Sequence, residues 1–203
     1  MHFEKLLSES ETWLPFLEKL RRIFQDMDQA YQKAAVGYGF QCQGCEDNCC
    51  LTRFHHHTLL EFLYIYEGFQ TLATGEKERV VKSAFNVRQV YVEADKTGDS
   101  SRIMCPLNTN NRCLLYDYRP MICRAHGIAH KLHHPIKGVV NGPGCHMFTE
   151  VKLGKDDFRF NRTPFYTTMA QLEKQLRESM NIAGKIRLTV ADMVLFIGGE
   201  KVS

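Results

Sequence analysis

Four of the eight cysteines in this 203-residue chain fall within one nine-residue stretch, CQGCEDNCC, at Cys42, Cys45, Cys49 and Cys50, and the last two are adjacent. The other four follow at Cys105, Cys113, Cys123 and Cys145, so every thiol lies between residues 42 and 145. Segments this rich in Cys, Asn, Pro and Gly have little capacity to build a core of their own. They are expected to fold by being tied together.

The compartment decides what ties them. The start, MHFEKLLSESETW, has no apolar segment of signal-peptide length, and no window reaches the roughly 18 uninterrupted apolar residues of a membrane span. A cytoplasmic protein with no membrane partner is expected. In a reducing compartment clustered cysteines serve as thiolates that hold metal or do chemistry, not as disulfides. Disulfides and unrelated buried thiols both explain the clustering poorly. The 26 basic and 23 acidic side chains give a formal charge of +3 with no long run of one sign, so no nucleic-acid partner is expected.

Periodicity points to a mainly α protein, a small helical domain with a loop-rich cysteine core. In WLPFLEKLRRIFQDMDQAYQKAA, apolar residues recur at Leu14, Leu17, Leu20, Phe24, Met27 and Tyr31, which predicts a helix over about 12–36. Thr12 is its expected N-cap, which puts Pro15 in the first turn, and Gly37 and Gly39 stop it. Thr58 and Glu61 have capping-box spacing ahead of LLEFLYIYEGFQTLAT, apolar nearly all round and expected to run to Gly75. A third helix covers EKERVVKSAFNVRQVYVEA, and a short one is expected after Arg119-Pro120. Thr163 as N-cap with Pro164 begins a helix with the stripe Phe165, Met169, Leu172, Leu176 and Met180, ending near Gly184. A last helix runs from Thr189, capped with Asp192, to Phe196, so the C-terminal helices span about 164–197. KGVV and FRF are too short to support a sheet of any size. The whole chain, 1–203, reads as one domain with a metal-binding region over 42–148.

The spacing supports thiolate ligation. A Cys-x-x-Cys turn such as Cys42 to Cys45 lets two thiolates converge while backbone amides donate to sulfur. Cys49 and Cys50, if extended, point to opposite sides, which suggests two centres or one polynuclear cluster. Metal binding would deprotonate and neutralise thiols whose burial as bare charges is prohibitive. Two zinc ions on eight thiolates keep a formal charge of about minus four, which nearby Arg119 and Arg124 are placed to offset. An iron-sulfur cluster on four thiolates leaves less to offset. The triplet His55 to His57 reads as a solvated or capping segment. His126 and His146 are better placed as ligands or as donors to ligands, although an ordinary structural role is the default for both.

The set Cys42-x2-Cys45-x3-Cys49-Cys50, Cys105-Pro106-Leu107, Cys113, YDYRPMICR from Tyr116 to Arg124 and a distal Cys145 resembles the YkgJ-like cysteine-cluster family, the CxxCxxCC proteins described as zinc- or iron-chelating domains. The resemblance covers roughly residues 42–148. It departs at Glu46, Asp47 and Asn48, where the family often has two residues before its Cys-Cys pair. It implies a metal-binding protein with all eight cysteines as ligands and a structural, redox or carrier role, with an iron-sulfur cluster narrowly preferred over zinc. A related pattern in flagellin lysine-N-methylases implies the alternative of an iron-sulfur-dependent protein-modifying enzyme. Against that alternative, the chain has no glycine-rich cofactor loop and no CxxxCxxC signature. A thiol catalyst built on Cys123 and His126 would leave seven cysteines unexplained. The expectation that tests these readings is that thiols from all three regions converge in space.

Overall fold

The apolar stripe near the N-terminus builds the longest element. The computed structural model describes residues 3–42, 49–100, 102–151 and 160–200. In it a short helix α1 (Phe3–Ser8) leads into α2 (Ser10–Tyr38). The buried face of α2 runs Trp13, Leu17, Leu20, Phe24, Met27, Ala34, Ala35, Tyr38. Trp13 therefore starts the stripe, and Leu14 points outward. The helix also starts earlier than the predicted Thr12, so Pro15 lies in its second turn. The missing Pro15 N–H costs only one bond, to the carbonyl of exposed Glu11. Gly37 stays helical, and Gly39 ends α2 in the left-handed conformation, φ 70°.

Helix α3 (Leu59–Gln70) is the centre of the core, with Leu59, Leu60, Phe62, Leu63 and Ile65 fully buried. Each such side chain stabilises the fold by about 1.5–3 kcal/mol through the apolar area it removes from water. Its start is doubly capped. The Thr58 hydroxyl accepts from Glu61 N–H at 3.2 Å, as the capping box predicted. Glu173 reaches across from another helix and accepts from Leu59 N–H at 2.9 Å and Leu60 N–H at 3.1 Å. The helix stops at Gln70, short of Gly75, because Thr71 closes it with N–H to Gly68 O at 3.0 Å. Gly75 belongs to the first turn of α4 (Thr74–Thr97).

Helix α7 (Thr163–Ser179) packs on α2 and α3, and α8 (Val190–Ile197) packs on α3 and α4. Met169, Leu172 and Leu176 of the predicted α7 stripe are buried. The helix ends at Ser179 and not at Gly184, since Asn181 takes φ 51°. The predicted Thr189–Asp192 capping box of α8 is present, with Thr189 N–H to Asp192 Oδ2 at 2.8 Å.

Strands are more developed than the sequence suggested. A three-stranded sheet pairs β3 (His130–His134) with β4 (Gly138–Gly142) antiparallel and with β5 (Phe160–Asn161) parallel. KGVV runs into β4, and the last residue of FRF opens β5. A tight hairpin joins β1 (Asn108–Thr109) to β2 (Arg112–Cys113). Two further short helices, α5 (Met121–Ala125) and α6 (His146–Val151), and two 3-10 turns, Cys49–Leu51 and Tyr116–Tyr118, complete the described elements, and α5 is the helix expected after Arg119-Pro120. The architecture is mainly α. No helix among the described residues is long and apolar enough to cross a membrane.

Candidate metal centre

The first thiols leave α2 on a fixed stem. Gly39 N–H bonds Val36 O and Phe40 N–H bonds Ala35 O, each at 2.9 Å, and buried Phe40 packs its ring on Phe148 at 5.3 Å. Cys42 follows two residues later and is exposed. Cys45 lies outside the described residues. Cys49 and Cys50 are not extended, as the sequence reading assumed. They open a 3-10 turn over Cys49–Leu51, with Thr52 N–H to Cys49 O at 3.1 Å. At three residues per turn, neighbouring side chains diverge by only about 120°, and the two thiols share a hydrogen bond.

The second region meets the first through the backbone. Cys105 N–H donates to Cys50 O at 2.8 Å. Asn108 N–H then closes on Cys105 O at 2.9 Å, and the hairpin turns on Asn110 and Asn111 at φ 52° and 62°. Asn108 faces Cys113 in register, and its side chain bonds the Cys50 sulfur. The Leu107 amide favours the thiolate form of Cys105, and the Leu115 amide that of Cys113. Buried Leu107 and Leu115 anchor both of these turns in the core.

Pro120 begins the helix that carries Cys123, and Glu61 holds it. Glu61 Oε1 accepts from Met121 N–H at 3.1 Å and lies 3.4 Å from His56 Nδ1, while Oε2 accepts from the Thr58 hydroxyl at 2.7 Å. Burial works against ionisation of Glu61, but these bonds outweigh it and its pKa falls. His56 is buried and paired with Leu188 through the backbone, so the middle member of the triplet is not solvated, while His55 is half-buried and His57 exposed.

Cys145 arrives from the other side. Its N–H donates to Gly127 O at 2.7 Å, and the Tyr31 hydroxyl donates to His126 O at 2.9 Å. The Tyr31 pKa rises, first through burial and then through the charges of Cys42, Cys145 and Cys49. Arg162 stands on this side too, 5% exposed, with its Nη2 on Ala125 O and its Nε without a hydrogen-bond partner. No spacing in the sequence marked it.

Burial raises the Cys105, Cys113 and Cys123 thiols, Cys123 to about 12, and the neighbouring thiolates raise them further. Cys50 is lowered, chiefly by the Cys49 hydrogen bond, while Cys49 is raised. Arg119 acts favourably on Cys50, Cys113 and Cys123. Arg124 is engaged elsewhere, with Nη1 on Asp28 at 2.6 Å, Nε on Arg119 O at 2.8 Å and its guanidinium over Phe24. His126 is held neutral by burial and by Arg162, and its ring lies 5.7 Å from that of Phe54. His146 is exposed at the start of α6.

Among the described residues the first and second cysteine regions meet through the bond from Cys105 N–H to Cys50 O, whereas Cys145 is tied by its N–H to Gly127 O. As they stand, no three His, Cys, Asp or Glu side chains among the described residues are arranged to hold a metal ion. The donor set is dominated by soft sulfur and fits zinc or iron, not magnesium or calcium. No protein-family model matches the chain, and no curated protein or solved structure is significantly similar to it. The resemblance in cysteine spacing therefore rests on the residues alone.

Proposed function

We propose that this chain is a metal-binding protein that holds its metal through cysteine thiolates, an iron-sulfur cluster before zinc, in a structural, redox or carrier role. One observation carries the reading. Cys105 N–H bonds Cys50 O at 2.8 Å, while the Leu107 and Leu115 amides pull the Cys105 and Cys113 thiols down against the burial that raises them, and amides that favour the thiolate form favour ligation. A neutral thiol, being only a weak acceptor, gains much less from such donors than a thiolate does. The preference for iron rests on the Cys105-Pro106 pair, the adjacent Cys49-Cys50 pair and the family resemblance, together with the absence from the sequence of a second Cys-x-x-Cys knuckle.

Protein purified without oxygen is expected to be brown and to contain iron and acid-labile sulfide. Colourless protein with stoichiometric zinc would exchange iron for zinc within the same reading. Protein that binds neither metal, under conditions where its helices are intact, would overturn the reading.

A further inference from the structure

We propose that the outer edge of β4 is a docking strand for an acidic, extended segment of a partner protein, which joins the three-stranded sheet as a fourth strand. The proposal stands apart from the thiolate reading above. In the order β4-β3-β5, β4 has a strand on one side only among the described residues. N–H and C=O groups of a strand point alternately to either side, so half of those in β4 face outward with no described strand to bond. Natural edges are blunted by Lys, by Pro or by an inward charge. The span Gly138 to Gly142 has none of these, and Pro135 and Pro143 lie outside it.

The edge is held ready by the rest of the fold. On the far side of β3, Phe160 N–H bonds Ala129 O and Arg162 N–H bonds Lys131 O, each at 3.0 Å, and His133 N–H bonds the Thr163 hydroxyl at 2.9 Å. At the tip, His134 Nδ1 accepts from Ile136 N–H at 3.1 Å and Lys137 N–H at 3.2 Å. Beyond β4, Cys145 N–H closes on Gly127 O at 2.7 Å. A strand already fixed in place adds little ordering cost to association. Its apolar side chains face water, with Ile136 91% exposed, Val139 61% and Val140 39%. β-branched residues of this kind gain stability from a cross-strand neighbour, which an added strand would supply.

Charge selects the occupant. Between Asp117 and Glu150 the chain has no acidic residue, and the hairpin presents Lys131, His133 and Lys137 to solvent. Pairing β4 with β4 of a second copy would gather two such hairpins in one sheet with no carboxylate between them, which like-charge repulsion disfavours. The register places Lys131 and His133 on one face with Asn141 and Val139, and Leu132 on the other with Val140. A segment that alternates Glu with a β-branched residue matches both faces. Its carboxylates lie on the side of Lys131 and His133, and its apolar side chains lie against Val140. Main-chain bonds hold such a strand, and the alternation of its side chains makes it specific.

The probe is a fluorescein-labelled peptide that alternates Val with Glu, followed by anisotropy. It is expected to bind the full chain, to bind less tightly as salt is added, and to slow amide exchange within Val139 to Gly142. The same peptide with Lys for Glu, or with every amide N-methylated, should not bind, because the first reverses the charge and the second removes the main-chain donors. Val139→Glu and Lys137→Glu change exposed side chains, so each should leave thermal unfolding unchanged and weaken the acidic peptide by about tenfold. Amide exchange on the wild-type chain covers the case in which a variant fails to fold. Absence of binding, protection confined to segments outside β4, or binding that survives N-methylation or the change of Glu to Lys would overturn the proposal. A wild-type chain that self-associates, with Val139→Glu monomeric, would give the edge to a second copy and overturn it as well.

Discussion

Cys105 donates its backbone N–H to the carbonyl of Cys50 at 2.8 Å, which joins two cysteine regions before any side chain is considered. The bond holds the 3-10 turn of Cys49 and Cys50 against the hairpin that carries Cys113. The thiols are therefore positioned by main chain, and the main chain is anchored by Leu107 and Leu115 in the core.

Glu61 is the second anchor of this corner, and its removal has a defined cost. The Glu61→Gln variant loses a buried carboxylate that receives Met121 N–H, His56 and Thr58. It is expected to unfold about 2–4 kcal/mol more easily, read from the urea midpoint of the metal-free chain. Cys123 should also become more accessible to alkylation, because the acceptor for Met121 N–H at the first turn of α5 changes from a carboxylate to a weaker neutral amide oxygen.

Two glycines should respond in opposite ways to alanine. Gly127 has φ 121°, and an added Cβ would stand 2.5 Å from the Tyr31 hydroxyl, so Gly127→Ala is expected to destabilise by about 1–3 kcal/mol. Gly37 lies inside α2 with nothing within 4 Å of a Cβ, so Gly37→Ala should stabilise by about 0.5–1 kcal/mol. Thermal unfolding of the pair checks both signs. Gly127→Ala should in addition disturb the ultraviolet signal of Tyr31.

Alkaline pH should weaken the metal-free fold. Burial raises the Cys123 thiol from its ordinary value of 9.0 to about 12. Between these values the folded state keeps a proton that the unfolded chain has released. Its contribution is complete below the ordinary value and is lost as pH rises towards about 12. Denaturation midpoints measured across that window should fall more steeply for wild type than for Cys123→Ala. Parallel curves would show that Cys123 is not held protonated by the fold.

Metal removal should act locally. The stretch from Cys105 to Cys145 has only short elements, whereas α7 buries Met169, Leu172 and Leu176 against neighbouring helices. Chelation is therefore expected to raise amide exchange around Cys105, Cys113 and Cys123 far more than between Pro164 and Ser179. Equal protection with and without metal would mean that the thiols do not hold this region.

The helices were legible because their signals are local. The spacing of Leu17, Leu20, Phe24 and Met27, the Thr58–Glu61 pair and the Thr189–Asp192 pair each specify structure within one or two turns, and each recurs in the fold. Where two local rules competed, the outcome was decided elsewhere. Pro15 entered the second turn of α2 because Trp13 buries there, with its indole N–H on Leu6 O at 3.0 Å. The cysteine spacing singled out the region, but not the 3-10 turn at Cys49, the bond from Cys105 to Cys50, the cap that Glu173 places on α3, or the buried Arg162. Each of those depends on a partner remote in sequence, as do the short strands of the β3 sheet, whose pairing needs a neighbour to exist at all. Periodicity and capping are properties of neighbouring residues and can be read in order along the chain. The meeting of thiols, amides and arginines is a property of packing, and only the folded core brings them to one place.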